Sequence, residues 1–175
     1  MSDEKNLFTE TRDLHHACEQ HVVGASMSNG SIGEQWWADW CGALYQIHQV
    51  IDPELPEKLH RVNHLKIDVE SCKMDPRENK EVNELVEELK KRPKLREAAH
   101  YVVTGAHLMG GQVMRMTIGP RLPNAHLHFK NRKEIMQTWT PYRDRLDLAD
   151  DAKEIFARLL LIMDEMLRLD KKETN

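Results

Sequence analysis

The sequence predicts one all-α domain, a single-domain bundle of six to eight helices, and three observations carry that expectation. β-Branched and aromatic residues do not alternate with polar ones over any sustained stretch, so strand signals are nearly absent. Apolar residues recur instead at i, i+3 and i+4 spacing, which lines one face of a helix. Prolines and glycines interrupt that periodicity as connections between helices would.

The elements follow in chain order. Thr11-Arg12-Asp13-Leu14-His15-His16-Ala17-Cys18-Glu19 reads as a helix capped by Thr11 or a neighbour, with His15 and Glu19 on one face. Gly24 to Gly33 is small and polar and reads as a loop. A helix runs from Glu34 to Ile51, with Trp36, Trp37, Trp40, Leu44, Ile47 and Ile51 as its apolar face; Pro53 and Pro56 end it. The next helix carries Leu59, Val62 and Leu65, and Leu85, Val86 and Leu89 mark a short one stopped near Pro93. A longer helix occupies about Leu95 to Thr117, and Ile118 to Asn124, with two prolines and a glycine, reads as a loop. Another helix spans about Asn131 to Leu146, with Pro141 inside it. The C-terminal helix is the clearest. Ala152, Ile155, Phe156, Leu159, Leu160, Met163, Met166 and Leu167 form its apolar stripe, opposite Asp151, Lys153, Glu154, Arg158 and Glu165.

Composition narrows the class. A length of 175 residues suits one domain, and 25 basic against 29 acidic residues give a net charge of −4. That balance argues against non-specific nucleic-acid binding, which needs a basic face. No run approaches the roughly 20 apolar residues of a spanning helix, and residues 1–10 lack an apolar signal-peptide core. Cys18, Cys41 and Cys72 are widely spaced without a CxxC, which reads as a reduced cytoplasmic chain.

Two features conflict with a plain structural bundle. Gly110-Gly111 interrupts a helical pattern, and each glycine in a helix interior costs about 0.8–1 kcal/mol relative to alanine. The pair is either a break between two helices or a pocket wall where a flat ligand lies against bare backbone. His15 and Glu19, at i, i+4 spacing, suit an imidazole whose tautomer a carboxylate fixes, leaving the other nitrogen for a metal. Two Glu-x-x-His pairs, Glu57/His60 and Glu97/His100, also open a different class, a non-heme di-iron oxidase. His126-x-His128 falls in a loop and reads as solvent-exposed. The basic run Lys90-Lys91-Arg92-x-Lys94-x-Arg96 either attracts an acidic partner or complements a helix C-terminus.

Taken in order, these segments resemble heme oxygenase over about residues 9–169 of a single 1–175 domain. Thr11-x3-His15-x3-Glu19 resembles the proximal-helix motif, and Leu44-Tyr45-x-Ile47 and Pro56-Glu57-x-Leu59-His60-Arg61 resemble the next two family segments. Tyr101 followed by Gly110-Gly111-Gln112 resembles the distal helix, Tyr142-Arg143-x-Arg145 the segment that supplies an arginine to a propionate, and Ala152-Lys153-x2-Phe156 the start of the last core helix. The chain departs from the family by being short around 72–93 and 115–133. It also has Ala106-His107 where many members have Gly-Asp, an arrangement similar to the plant branch.

The resemblance implies oxidative cleavage of heme to biliverdin, carbon monoxide and ferrous iron, with heme b as cofactor and substrate and O2 as co-substrate. It implies His15 as the iron ligand and Glu19 as that ligand's partner. Arg12, Arg143, Tyr101 and Phe156 then become heme-binding residues, and His107, Gly110 and Gly111 line the oxygen side. No GxGxxG is present, so electrons come from outside, from a ferredoxin or flavoprotein reductase. A heme carrier without turnover is the other reading of the same residues.

Overall fold

Asn6 starts the first helix, and Thr11 does not. The Asn6 side chain accepts from Thr9 N at 3.0 Å while Thr9 Oγ1 accepts from Asn6 N at 3.0 Å, a reciprocal cap that opens α1 at Leu7–Gln20. Thr11 is instead buried in the second turn, its hydroxyl donating to Leu7 O at 2.7 Å. A computed structural model describes residues 5–173, and within them there is no strand. Nine α-helices alternate with short 3-10 turns among these residues, more than expected because two predicted elements are divided differently.

The first revision is α2, Val22–Ser28, which occupies the start of the expected 24–33 loop. Its small residues let it fold tightly onto α1: a Cβ on Gly24 would meet the Cys18 carbonyl oxygen at 2.0 Å. Composition hid this helix, since Val23 and Met27 supply most of its buried apolar surface. By contrast α3 spans Glu34–Ile51 as expected, with Trp37, Cys41, Leu44, Ile47 and Ile51 in the core. Prolines 53 and 56 direct the chain through 3-10 turns at Asp52–Glu54 and Glu57–Leu59 into α4, Val62–Ser71.

Helix α5, Lys80–Lys91, is capped by Asn79, whose amide also donates to Ile162 O at 3.0 Å. Pro93 does more than stop it. It takes the first turn of α6, Pro93–Leu108, where its missing N–H has no cost. The expected 95–117 helix is broken at Met109, and α7 follows at Gly110–Ile118. Helix α8 is only Arg132–Trp139, because Pro141 enters the first turn of a 3-10 segment, Thr140–Asp144. A 3-10 turn at Leu146–Leu148 then leads into α9, Ala149–Glu173.

The core sits around α9, whose stripe packs against α1, α5 and α6, while α3 packs against α4, α5 and α6. Ala152, Ile155, Phe156, Leu159, Ile162, Met163 and Met166 are buried as a helical stripe requires. Glu165, expected on the polar face, is buried too and pairs with Arg168. Arg77 ties α3 to α9, meeting the buried Asp39 at 2.6 Å and Asp170 at 2.8 Å. No helix among the described residues is long and apolar enough to cross a membrane.

Candidate functional site

On α1, His15 stands half-exposed. Its ring meets the buried Phe156 of α9 edge-on at a centroid distance of 5.7 Å and lies 6.4 Å from Phe8. Glu19 Oε1 is 3.7 Å from His15 Nε2, with side chains 44% (His15) and 55% (Glu19) exposed, too long for a hydrogen bond that would hold the ring. Packing against Phe156 is therefore what positions the imidazole. Phe8 is itself exposed, and the guanidinium carbons of Arg12 and Arg143 lie 5.9 and 5.7 Å from its ring centroid. Two cations from separate elements thus gather at one aromatic edge. Tyr101 is buried on α6, stacked on Trp139 at 5.3 Å, and Trp139 Nε1 donates to its carbonyl at 3.0 Å. Burial pushes its hydroxyl pKa up, and Arg143 nearby acts against that rise.

The glycine pair is a break, and its two members do different work. A Cβ on Gly110 would meet nothing within 4 Å, so its backbone faces open space. A Cβ on Gly111 would meet Leu127 Cδ2 at 2.9 Å, so Gly111 is a packing residue. Arg132 closes the break from the other side, donating to Leu108 O at 2.8 Å. Around it Met109, Val113 and Met116 are exposed, Met116 at 85%.

One turn before the break, His107 is buried in a polar network that the spacing did not single out. Its Nε2 lies 3.0 Å from His48 Nε2, and His48 Nδ1 lies 2.7 Å from Asp52 Oδ1. Asp52 Oδ2 accepts from the backbone N–H groups of Arg61 and Val62, both at 2.7 Å. Burial holds His107 well below the usual histidine range, and it holds His48 below that range despite the Asp52 hydrogen bond. Burial would raise Asp52, but the His48 hydrogen bond and charge, with the two backbone donors, leave it below the usual carboxylate range.

His126 meets His107 edge-on at 5.2 Å and is 1% exposed, contrary to the expectation of a solvent-exposed loop residue. The cause is Asp68, a buried carboxylate of α4. It takes His126 Nδ1 at 2.6 Å and the backbone N–H groups of Ala125 and His126 at 2.6 and 2.9 Å. His128 alone of that pair is exposed. The signal for His48 was present as His-x3-Asp, the same i, i+4 pattern as His15 and Glu19.

The Glu-x-x-His pairs do not converge. Glu97 pairs with Arg145 at 2.9 Å, and His100 is buried with Nδ1 2.9 Å from Thr104 Oγ1. His60 Nε2 donates to Leu55 O at 2.8 Å. Among the described residues no group of three or more His, Cys, Asp or Glu side chains is arranged to hold a metal ion. The basic run is neutralised within the chain: Lys90 by Glu87, Lys91 by Glu88, Arg92 by Glu154 and Asp151, Lys94 by Asp147 and Arg96 by Glu54.

The groups around His15 and Gly110 are individually of the kinds that suit a flat macrocycle with apolar faces and an anionic edge. Gly110 offers bare backbone, Phe8, Met109, Val113 and Met116 offer apolar surface, and Arg12 and Arg143 offer guanidinium groups suited to carboxylates. Comparison with solved structures agrees on the fold. The structure of heme oxygenase from Leptospira interrogans aligns at TM-score 0.73 and 18% identity, over 91% of this chain and 96% of that one. Heme oxygenase-1 from the cyanobacterium Synechocystis sp. PCC6803, solved in complex with heme, aligns at TM-score 0.77 and 15% identity, over 95% and 91%. No curated protein matches by sequence. The family description "Heme oxygenase" matches residues 3–160, nearly the whole chain, and the chain belongs to this family of heme-degrading oxidoreductases.

Proposed function

We propose that this chain cleaves heme to biliverdin, carbon monoxide and ferrous iron, using O2 and electrons from a ferredoxin or flavoprotein reductase. The observation that carries the reading is the split glycine pair, with Gly110 facing open space one turn beyond a buried His107. His15 is the imidazole ligand, held in place by Phe156 more than by Glu19. Bound heme b supplies the iron at which oxygen chemistry takes place. Arg12 and Arg143 hold the propionates by charge-assisted hydrogen bonds, and the Tyr101 hydroxyl feels the charge of Arg143. Gly110 keeps side-chain bulk away from the oxygen side, and Gly111 supports it by packing on Leu127.

His107 handles the proton on that side, in the position that resembles the plant branch. Free Cys18, Cys41 and Cys72 suit a cytoplasmic setting.

The test is hemin added to purified protein, followed by a reductant system in air. The expected result is a Soret band that His15→Ala alters and, in the wild type, growing biliverdin absorption in the red. Turnover by His15→Ala should fall at least about 100-fold, or about 2.7 kcal/mol of barrier. Heme that binds and survives reduction would make the chain a carrier.

A further inference from the structure

We infer that His48 and Asp52 are positioning residues that fix the tautomer of His107, leaving its Nδ1 without a hydrogen and able to accept a proton. The inference rests on His107 being the proton-handling residue of the reading above. It starts from Asp52. One carboxylate oxygen is occupied by two backbone N–H groups and the other by His48 Nδ1 at 2.7 Å. A carboxylate only accepts, so the hydrogen of this contact is on His48 Nδ1. A neutral His48 then has a lone pair at Nε2. The two Nε2 atoms stand 3.0 Å apart and need one hydrogen between them, which must come from His107. Neutral His107 is thereby left bare at Nδ1. The order is forced inward from one carboxylate, residue by residue.

Among the described residues, His48 Nε2 is the hydrogen-bond partner of His107 Nε2. His126 meets His107 by its edge, and its own Nδ1 is taken by Asp68. His100 turns its Nδ1 to Thr104, while the Arg61 guanidinium donates to the His60 and His128 carbonyls and lies over Phe129. A proton delivered by solvent hydronium to His107 Nδ1 forms one N–H bond there and releases a neutral water. The His107 Nε2–H bond then breaks as an N–H bond forms at His48 Nε2. The positive charge passes to His48, where the Asp52 carboxylate offsets it, and the reverse transfer returns the proton. A lone imidazole as deeply buried as His107 would have no such place to put the charge.

Asp52→Asn tests this with a one-atom change. The new amide oxygen stays on the Arg61 and Val62 N–H groups, so its NH2 faces His48 Nδ1 and the order reverses. Long-range 1H–15N spectra of 15N-histidine-labelled full-length protein without heme read the tautomers directly. The expected result is His48 Nδ1–H and His107 Nε2–H in the wild type, and His48 Nε2–H with His107 Nδ1–H in Asp52→Asn. His107 with its hydrogen at Nδ1 in the wild type, or unchanged in the variant, overturns the inference. Should Asp52→Asn not fold, His48→Leu reads the same resonance, and an undiminished preference for Nε2–H in that variant also overturns it.

The heme assay separates this inference from the reading beneath it. With inverted tautomers, turnover should fall at least about tenfold while heme affinity is kept. Inversion with unchanged turnover overturns the proton role. A wild type with the stated tautomers that binds heme without degrading it overturns the proposed function, and the proton role with it.

Discussion

Two of the helices that place a carboxylate four residues after a histidine do so with opposite results. On α1, His15 and Glu19 are both about half exposed and stand 3.7 Å apart. At the end of α3, His48 and Asp52 are at most 2% exposed and stand 2.7 Å apart. The first pair is loose because water competes for both partners. The second is tight because water does not compete there and a buried polar group left without its partner is costly. The His15 ring thus stays half-exposed, while the His48 ring is built into the core. Identical spacing says nothing about which outcome a pair will have; burial decides.

The largest expected contrast comes from deleting the carboxylates. Asp52→Ala leaves His48 Nδ1 and the Arg61 and Val62 N–H groups as buried donors without an acceptor, and should cost about 3–5 kcal/mol in urea unfolding. A loss under about 1 kcal/mol would mean that the array is wet.

Next is the pH dependence of stability. His48, His100 and His107 all have lowered pKa values in the folded chain, His100 falling to about 4, and burial is the leading cause in each case. Below about pH 6.5 the unfolded chain therefore binds protons that the folded chain refuses. Stability from these groups is present above that pH and is lost as pH falls toward 4, at up to about 1.4 kcal/mol per pH unit per histidine. Asp52, with its pKa lowered from 3.8, adds a separate loss only below that value. Urea midpoints at pH 7.5, 6 and 5 check the sign, and His100→Phe should flatten the slope.

Smaller effects separate the two glycines. Gly111→Ala drives a methyl group into Leu127 and should cost about 1–3 kcal/mol of stability. Gly110→Ala should leave stability within about 0.5 kcal/mol and act on heme affinity instead, measured by Soret titration. The smallest effect belongs to Glu19→Ala. As an exposed partner it should change stability by under about 0.5 kcal/mol. Heme affinity should change by under about tenfold, below the range of a tightly held partner of a metal ligand.

The same distinction explains what could be read from the residues alone. Helix α3 was legible to the residue, because its tryptophans, Leu44 and Ile47 mark one face and Pro53 marks the end. The all-α bundle followed from similar signals. Helix α2 was hidden, because close backbone contact at Gly24 stabilises it without an apolar stripe. The break at Met109 was one of two readings of Gly110-Gly111, and the two helices meeting there show that break. His48, Asp52, Asp68 and His126 were not legible as a group. Their partners lie 59 and 58 residues apart at two of the contacts, and only the packing of α3, α4 and α6 brings them together.

Leu127 has one further consequence. It presses against Gly111 from a 3-10 turn, Ala125–Leu127, whose backbone is pinned to the carboxylate of Asp68, and Gln112 of α7 donates back to the Leu127 carbonyl at 3.2 Å. The depth at which α7 leaves α6 is therefore gauged by a stretch of chain without a long helix. Adding or removing a residue between Gly119 and Asn124 would shift that gauge and tilt Gly110, although no atom near the glycine had been changed. The connection after α7 is thus a spacer of fixed length that sets where Gly110 and Gly111 stand.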